Sequence, residues 1–159
     1  MSSQTRTSAT NTVDFEDERI TLFSLLIEVH DKLVRSLGAD LEATCNLPMV
    51  WYEVLARTAR YPGGRPIMSE LADAVSLSTG GFTRLVDRIE AAGLVARQAS
   101  STDRRITHIV LTPAGEQLLA QATAQHVEGI DRDVASKLSG SEVLQLRKVL
   151  EKLRDSTRD

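Results

Sequence analysis

The apolar residues of this chain change their spacing once and then change it back. Up to Gly93 they recur at steps of three and four, from Val95 to Leu111 they alternate, and after Thr112-Pro113 the longer step returns. A period of 3.6 specifies a helix with one buried face, and a period of two specifies a strand. A single hairpin inside an otherwise helical chain is a narrow prescription. The expected fold class is mainly α with a small β-hairpin (α+β).

The helical segments can be bounded from their own signals. Met1 to Val13 holds seven Ser or Thr residues and almost nothing to bury, so residues 1–13 read as a disordered tail. A long helix is expected from Asp14 to about Leu41. Ile20, Phe23, Ile27, His30, Val34, Leu37 and Leu41 form its seam, and Leu22, Leu26, Val29 and Leu33 form a second stripe. Leu47-Pro48 opens a second helix, with Pro48 at its first position and Trp51, Val54, Leu55 and Thr58 inward; Tyr61-Pro62-Gly63-Gly64 ends it. A short helix follows over about Ser69–Val75. A break at Ser76-Leu77-Ser78 leads to a fourth, about Thr79–Ala92, with Ser78 as N-cap and Gly93 as the left-handed cap. Phe82, Leu85, Val86 and Ile89 are its apolar face. Strands are expected over Val95–Ala99 and Ile106–Leu111, then a helix from Pro113 to about Leu138. Ser139-Gly140-Ser141-Glu142 has the form of a capping box for the last helix.

The order helix, helix, turn, helix, hairpin over 47–112 fits a helix-turn-helix with a wing. The fourth helix then turns Thr79, Gly80, Thr83, Arg84, Asp87 and Arg88 outward, where arginine can fork onto guanine or grip phosphate. Charge supports this division. The net charge of the chain is −3, but from Val54 to His108 eight Arg face five acidic residues, an excess of +3, leaving −6 elsewhere. The acidic total excludes an indiscriminate coat for nucleic acid, because counterion release needs concentrated positive charge. The terminal segments, 14–46 and 113–159, carry more apolar surface than one small domain needs. A second copy of the chain would cover it, and a two-fold pair would set two recognition helices about one DNA turn apart, matching a palindromic double-stranded operator.

Other chemistry is sparse. Nothing has the form of a nucleophile–base pair, a phosphate-cradling loop or a metal cluster, so the chain reads as no enzyme, with no cofactor and no metal site; His30, His108 and His126 are far apart. His30, Met49, Trp51 and Tyr52 are the candidates for an effector pocket. The single cysteine, Cys45, excludes a disulfide framework and leaves a cysteine-based redox-sensing regulator as one alternative. Another is a winged-helix protein-interaction module without DNA binding, which would need a neutral or acidic fourth helix. No apolar run reaches membrane-span length and no secretory h-region opens the chain, so no membrane partner and a cytoplasmic location are expected.

Ser69-Glu70-Leu71-Ala72, Leu77-Ser78 and Thr83-Arg84-Leu85-Val86-Asp87-Arg88-Ile89-Glu90-Ala91-Ala92-Gly93-Leu94-Val95 resemble the MarR family of winged helix-turn-helix regulators. Asp103-Arg104-Arg105 is similar to that family's Asp-x-Arg wing signature, and Leu111-Thr112-Pro113-Ala114-Gly115 to its Leu-Thr-x-x-Gly continuation. The resemblance spans about Leu47 to Leu119. It implies a homodimer on a palindromic operator, usually a repressor, released by a small lipophilic effector or by cysteine oxidation. It also implies base and phosphate contacts from Ser78, Thr79, Gly80, Gly81, Thr83, Arg84 and Arg88, and a wing in which Arg105 enters the minor groove, Asp103 orients it and Arg104 meets phosphate. Gly80-Gly81 departs from the larger or polar residues usual there. Two helical glycines destabilise by roughly 1 kcal/mol each relative to alanine. Two readings stand: a helix start that orders on DNA, or a bare backbone that approaches the bases.

Overall fold

The computed structural model describes residues 17–75, 79–100, 103 and 106–156. These form α1 (Glu18–Cys45), α2 (Met49–Arg60), α3 (Met68–Ala74), α4 (Thr79–Ala91), β1 (Val95–Ala99), β2 (Thr107–Leu111), α5 (Pro113–Asp133) and α6 (Gly140–Ser156). The strands pair as one antiparallel hairpin in which Val95 opposes Leu111, Arg97 opposes Ile109 and Ala99 opposes Thr107. The fold is mainly helical with a small hairpin, as the change of apolar period requires. The expected tail over 1–13, the cap Ser78 and the wing arginines Arg104 and Arg105 lie outside the described residues.

The chain divides into two compact units, residues 1–33 and 34–159. In the first, α1 leaves the start of its seam and of its second stripe exposed: Ile20, Phe23 and Ile27, and Leu22, Leu26 and Val29. The end of the same seam, Leu37 and Leu41, is buried in the second unit.

The core of the second unit is built on α2. Val54, Leu55 and Thr58 have no exposed surface, and Phe82, Val86, Ile89, Val95, Ile109, Leu119 and Ala122 complete the cluster. Buried Thr58 donates its hydroxyl to the Val54 carbonyl at 2.8 Å, which satisfies a polar group that would otherwise destabilise the core. Thus α4, the hairpin and α5 all rest on one apolar centre.

Three boundaries and one strand contact differ from the sequence reading. α1 continues to Cys45 because Asn46 takes the left-handed conformation (φ 48) and the Leu47 N–H returns to the Leu41 carbonyl at 3.3 Å. Pro48 precedes α2 as its cap, its carbonyl accepting from the Trp51 and Tyr52 N–H groups at 2.9 and 3.1 Å. α5 stops at Asp133, not near Leu138; Val134 leaves helical geometry (φ −128, ψ −66) and a 3-10 turn follows over Ala135–Lys137. Val134 and Leu138 instead share an apolar cleft with Val143, Leu146 and Leu150 of α6, so their spacing serves that surface. The fourth difference is an extra strand contact. Ile67 bridges His108, the Ile109 N–H donates to the Pro66 carbonyl at 3.0 Å, and His108 Nδ1 lies 2.8 Å from the Arg65 carbonyl. The hairpin therefore gains a further backbone partner at His108 and Ile109, one rung in from its outer end.

The capping box is formed as expected. The Ser139 N–H donates to Glu142 Oε2 at 2.8 Å, and the Glu142 N–H donates to Ser139 Oγ at 3.4 Å. The Ser139 hydroxyl, which donates to Glu142 Oε2 at 2.7 Å, and then the Ser139 N–H lower the Glu142 carboxyl from its ordinary value. Farther up, Asp133 accepts from Ser36 Oγ at 2.7 Å, and Arg132 reaches Asp40 at 2.7 Å, fastening α5 to the second half of α1.

Candidate nucleic-acid interface

α4 is amphipathic because its apolar residues fall at helical spacing. Phe82, Leu85, Val86 and Ile89 are buried, which leaves Gly80, Gly81, Thr83, Arg84, Asp87 and Arg88 on the outside. Its C-terminal end is set by Gly93, whose positive φ of 74 lets the Gly93 N–H donate to the Glu90 carbonyl at 2.8 Å and the Leu94 N–H donate to the Ile89 carbonyl at 3.2 Å. The chain then enters β1 directly, so the helix and the hairpin are neighbours by connection as well as by packing.

A second joint locks this corner. Thr112 caps α5, its Oγ1 accepting from the Gly115 N–H at 3.0 Å and donating to the Gly93 carbonyl at 2.6 Å. The Thr112 N–H reaches the Leu94 carbonyl at 3.1 Å. The Leu-Thr-x-x-Gly stretch therefore binds the end of α4 to the start of α5.

The ion pairs of the interface differ from the simplest sequence reading. Within the helix, Asp87 stands three residues from Arg84, an ion-pair spacing, and Glu90 follows it by three more. Instead, both carboxylates are taken by Arg97 of β1: Nη2 meets Asp87 Oδ1 at 2.7 Å, Nη1 pairs with Glu90 Oε2, and the Arg97 N–H donates to Glu90 Oε1 at 2.9 Å. Among the described residues, no ion pair engages Arg84 or Arg88. Asp103 is exposed, with its N–H 3.4 Å from Ser100 Oγ. α4 begins at Thr79 and runs through Gly80 and Gly81. A Cβ at Gly80 would meet nothing within 4 Å, so the packing of the chain itself does not call for glycine there.

The effector-pocket candidates separate. Met49 and Tyr52 line a cavity of about 720 Å³, together with Arg57, Arg60, His126 and Ile130. Trp51 is half-buried against the core, and His30 is exposed, its Nδ1 3.1 Å from Asp31 Oδ1. His126 was legible only as a polar interruption of an apolar seam. Its ring lies 4.7 Å from that of Tyr52, and its buried Nδ1 has no hydrogen-bond partner among the described residues. Burial, and then the positive charge of Arg60, push the His126 imidazole below its ordinary value, partly opposed by Glu53. Cys45 is half-buried, 3.5 Å from Thr44 Oγ1. Among the described residues, no helix is long and apolar enough to cross a membrane.

Comparison with known proteins agrees with this geometry. The family model described as MarR family matches residues 46–106. The chain is 33% identical over 93 residues to the HTH-type transcriptional regulator MhqR of Bacillus subtilis, a match covering 58% of this chain and 63% of that protein. It spans 49% and 53% of the next two curated relatives, so these matches are local. Among solved structures, it is similar to AbsC, a MarR family transcriptional regulator from Streptomyces coelicolor, with TM-score 0.78 and 29% identity over 87% of this chain and 93% of that one. It is also similar to a mutant MarR from E. coli complexed with operator DNA, with TM-score 0.76 and 25% identity over 88% of this chain and 98% of that one.

Proposed function

We propose that the chain is a MarR family winged-helix transcriptional regulator, acting as a dimeric repressor that binds a palindromic operator and is released by a small-molecule effector. The observation that carries the DNA assignment is the outer face of α4. Arg84 and Arg88 stand exposed there, with their neighbouring carboxylates engaged elsewhere by Arg97. Arginine presented from a helix beside a hairpin is suited to the major groove, and the wing to the adjoining minor groove. Ser78, Thr79, Gly80, Gly81 and Thr83 would lie at the groove-facing start, with Asp103, Arg104 and Arg105 in the wing.

Dimerisation is supported by apolar surface that the single chain leaves uncovered. Leu22, Phe23 and Leu26 of α1, and Leu146, Leu150 and Leu153 of α6, are all exposed. Exposed apolar surface in seams of this kind marks a protein-interaction surface. Effector release is supported by the cavity, whose mixed lining of Met49, Tyr52, Arg57, Arg60 and His126 suits an aromatic ligand with an acidic or hydroxyl group. A cytoplasmic location follows from the same role.

Selection of bound duplexes from a random pool tests the reading directly. The expected result is an enriched inverted repeat, bound by two chains and released on addition of a small aromatic acid or phenol. Recovery of no enriched sequence would reject sequence-specific DNA binding.

A further inference from the structure

Asp87 lies on the same exposed face of α4 as Arg84, three residues before it, and Arg88, one residue after it. In an isolated helix a carboxylate three residues from an arginine is a ready ion-pair partner. Left alone, Asp87 would compete with phosphate for Arg84 and add a negative charge to a face that must approach DNA. Glu90, half-buried one turn on, would add another.

The wing strand removes both charges from that competition. Arg97 is only 27% exposed and forks between the carboxylates, Nη2 on Asp87 and Nη1 on Glu90, while its backbone N–H holds the second oxygen of Glu90. A guanidinium offers two planar edges and can grip two carboxylates together, which an ammonium cannot do as well. Position 97 is fixed by the register Arg97↔Ile109, with Ile109 fully buried beneath the hairpin. The arginine is therefore presented by a rung whose partner is anchored in the core.

We propose that Arg97 is a positioning residue for DNA binding: it sequesters Asp87 and Glu90 so that Arg84 and Arg88 remain available to the nucleic acid. This rests on the DNA-binding reading above. Arg97 itself makes no contact with DNA in this scheme. It acts through the two carboxylates, and its effect disappears when they are neutral.

The test compares full-length wild type, Arg97→Met, Asp87→Asn/Glu90→Gln and the triple variant combining all three changes. Each is titrated against a selected duplex and a mixed-sequence duplex at fixed salt. Arg97→Met is expected to weaken binding about tenfold, by exposing two negative charges beside phosphates. The triple variant is expected to recover most of that loss. A triple variant as weak as Arg97→Met would overturn the proposal, because Arg97 would then be acting on DNA itself. Unchanged affinity of Arg97→Met would overturn it as well. A readout without DNA separates this from failure of the DNA reading: the Arg97 guanidinium protons should be protected in nitrogen-edited NMR spectra of the free wild type and lose protection in Asp87→Asn/Glu90→Gln. Absence of that protection in wild type overturns the proposal even if DNA binding stands. Protection in wild type together with no binding of any duplex would reject the DNA reading, and the positioning role with it, while leaving the ion pairs intact.

Discussion

The backbone of Gly115 lies against the carbonyl of Leu94 so closely that a Cβ on Gly115 would sit 2.0 Å from that oxygen. The neighbour is backbone and cannot rotate away. Gly115→Ala is therefore expected to destabilise the fold by about 2 kcal/mol or more, since relief requires moving α5 off the start of β1. Denaturant unfolding followed by circular dichroism measures it. Unaltered stability would show that the contact is looser than described.

Loss of the Thr112 hydroxyl is a milder version of the same break. Thr112→Val removes the cap on Gly115 N–H and the bond to the Gly93 carbonyl. A cost of about 1 kcal/mol is expected, typical of a helix N-cap. If the measured loss falls within error of zero, the hydroxyl is not anchoring this corner.

Under the proposed reading, removing an arginine of the outer α4 face should weaken DNA binding and leave the fold alone. Arg84 is exposed on α4, so Arg84→Ala is expected to weaken operator binding by about 1–3 kcal/mol with unchanged thermal unfolding. Arg105→Ala should do the same from the wing. Salt-controlled titrations in which both variants match wild type would remove these residues from the interface.

His126 gives the chain a pH response. Its imidazole is held below the ordinary value, chiefly by burial, so the unfolded chain takes up that proton more readily than the folded one. Stability from this group is complete above about pH 6.5. It falls as the pH drops below that value, and levels out once the pH is under the folded-state value. Replacement by Leu should flatten that part of the curve relative to wild type. Parallel curves for the two proteins over this range would contradict it.

The exposed leucines of α6 predict a concentration-dependent dimer. Leu146 and Leu150 are 42% and 44% exposed in the single chain. Covering the surface each leucine still exposes contributes on the order of 1 kcal/mol, so Leu146→Glu/Leu150→Glu should shift sedimentation from dimer to monomer at micromolar concentration. A wild type that already sediments as a monomer would reject pairing through this surface.

Much of this arrangement was legible in the sequence because local rules govern it. The apolar face of α4, the glycine that ends it, the register-forming alternation of β1 and β2 and the Ser139–Glu142 box each depend on residues within a few positions of one another. What was not legible depends on tertiary proximity. Arg97 meets Asp87 and Glu90 across a strand, the His126 ring leans at a tilt against that of Tyr52 from a distant helix, and Ile67 finds β2 through a bridge too short to show a period. The overlong α5 is a different kind of error. Val134 and Leu138 have helical spacing, yet that spacing serves a cleft shared with α6.

The third strand contact at Ile67 divides the wing along its length. Rungs near Ile109 are braced on both sides, by β1 and by the segment through Pro66, whereas the outer rung Ala99↔Thr107 has only its partner strand. Two-stranded ribbons are marginal in water, and each added strand secures them. The hairpin is thus graded, secured on a second side at His108 and Ile109 and held by its partner strand at the outermost rung. Amide exchange should slow from Thr107 towards Ile109, so that bending at the outermost rung leaves the helix beside it undisturbed.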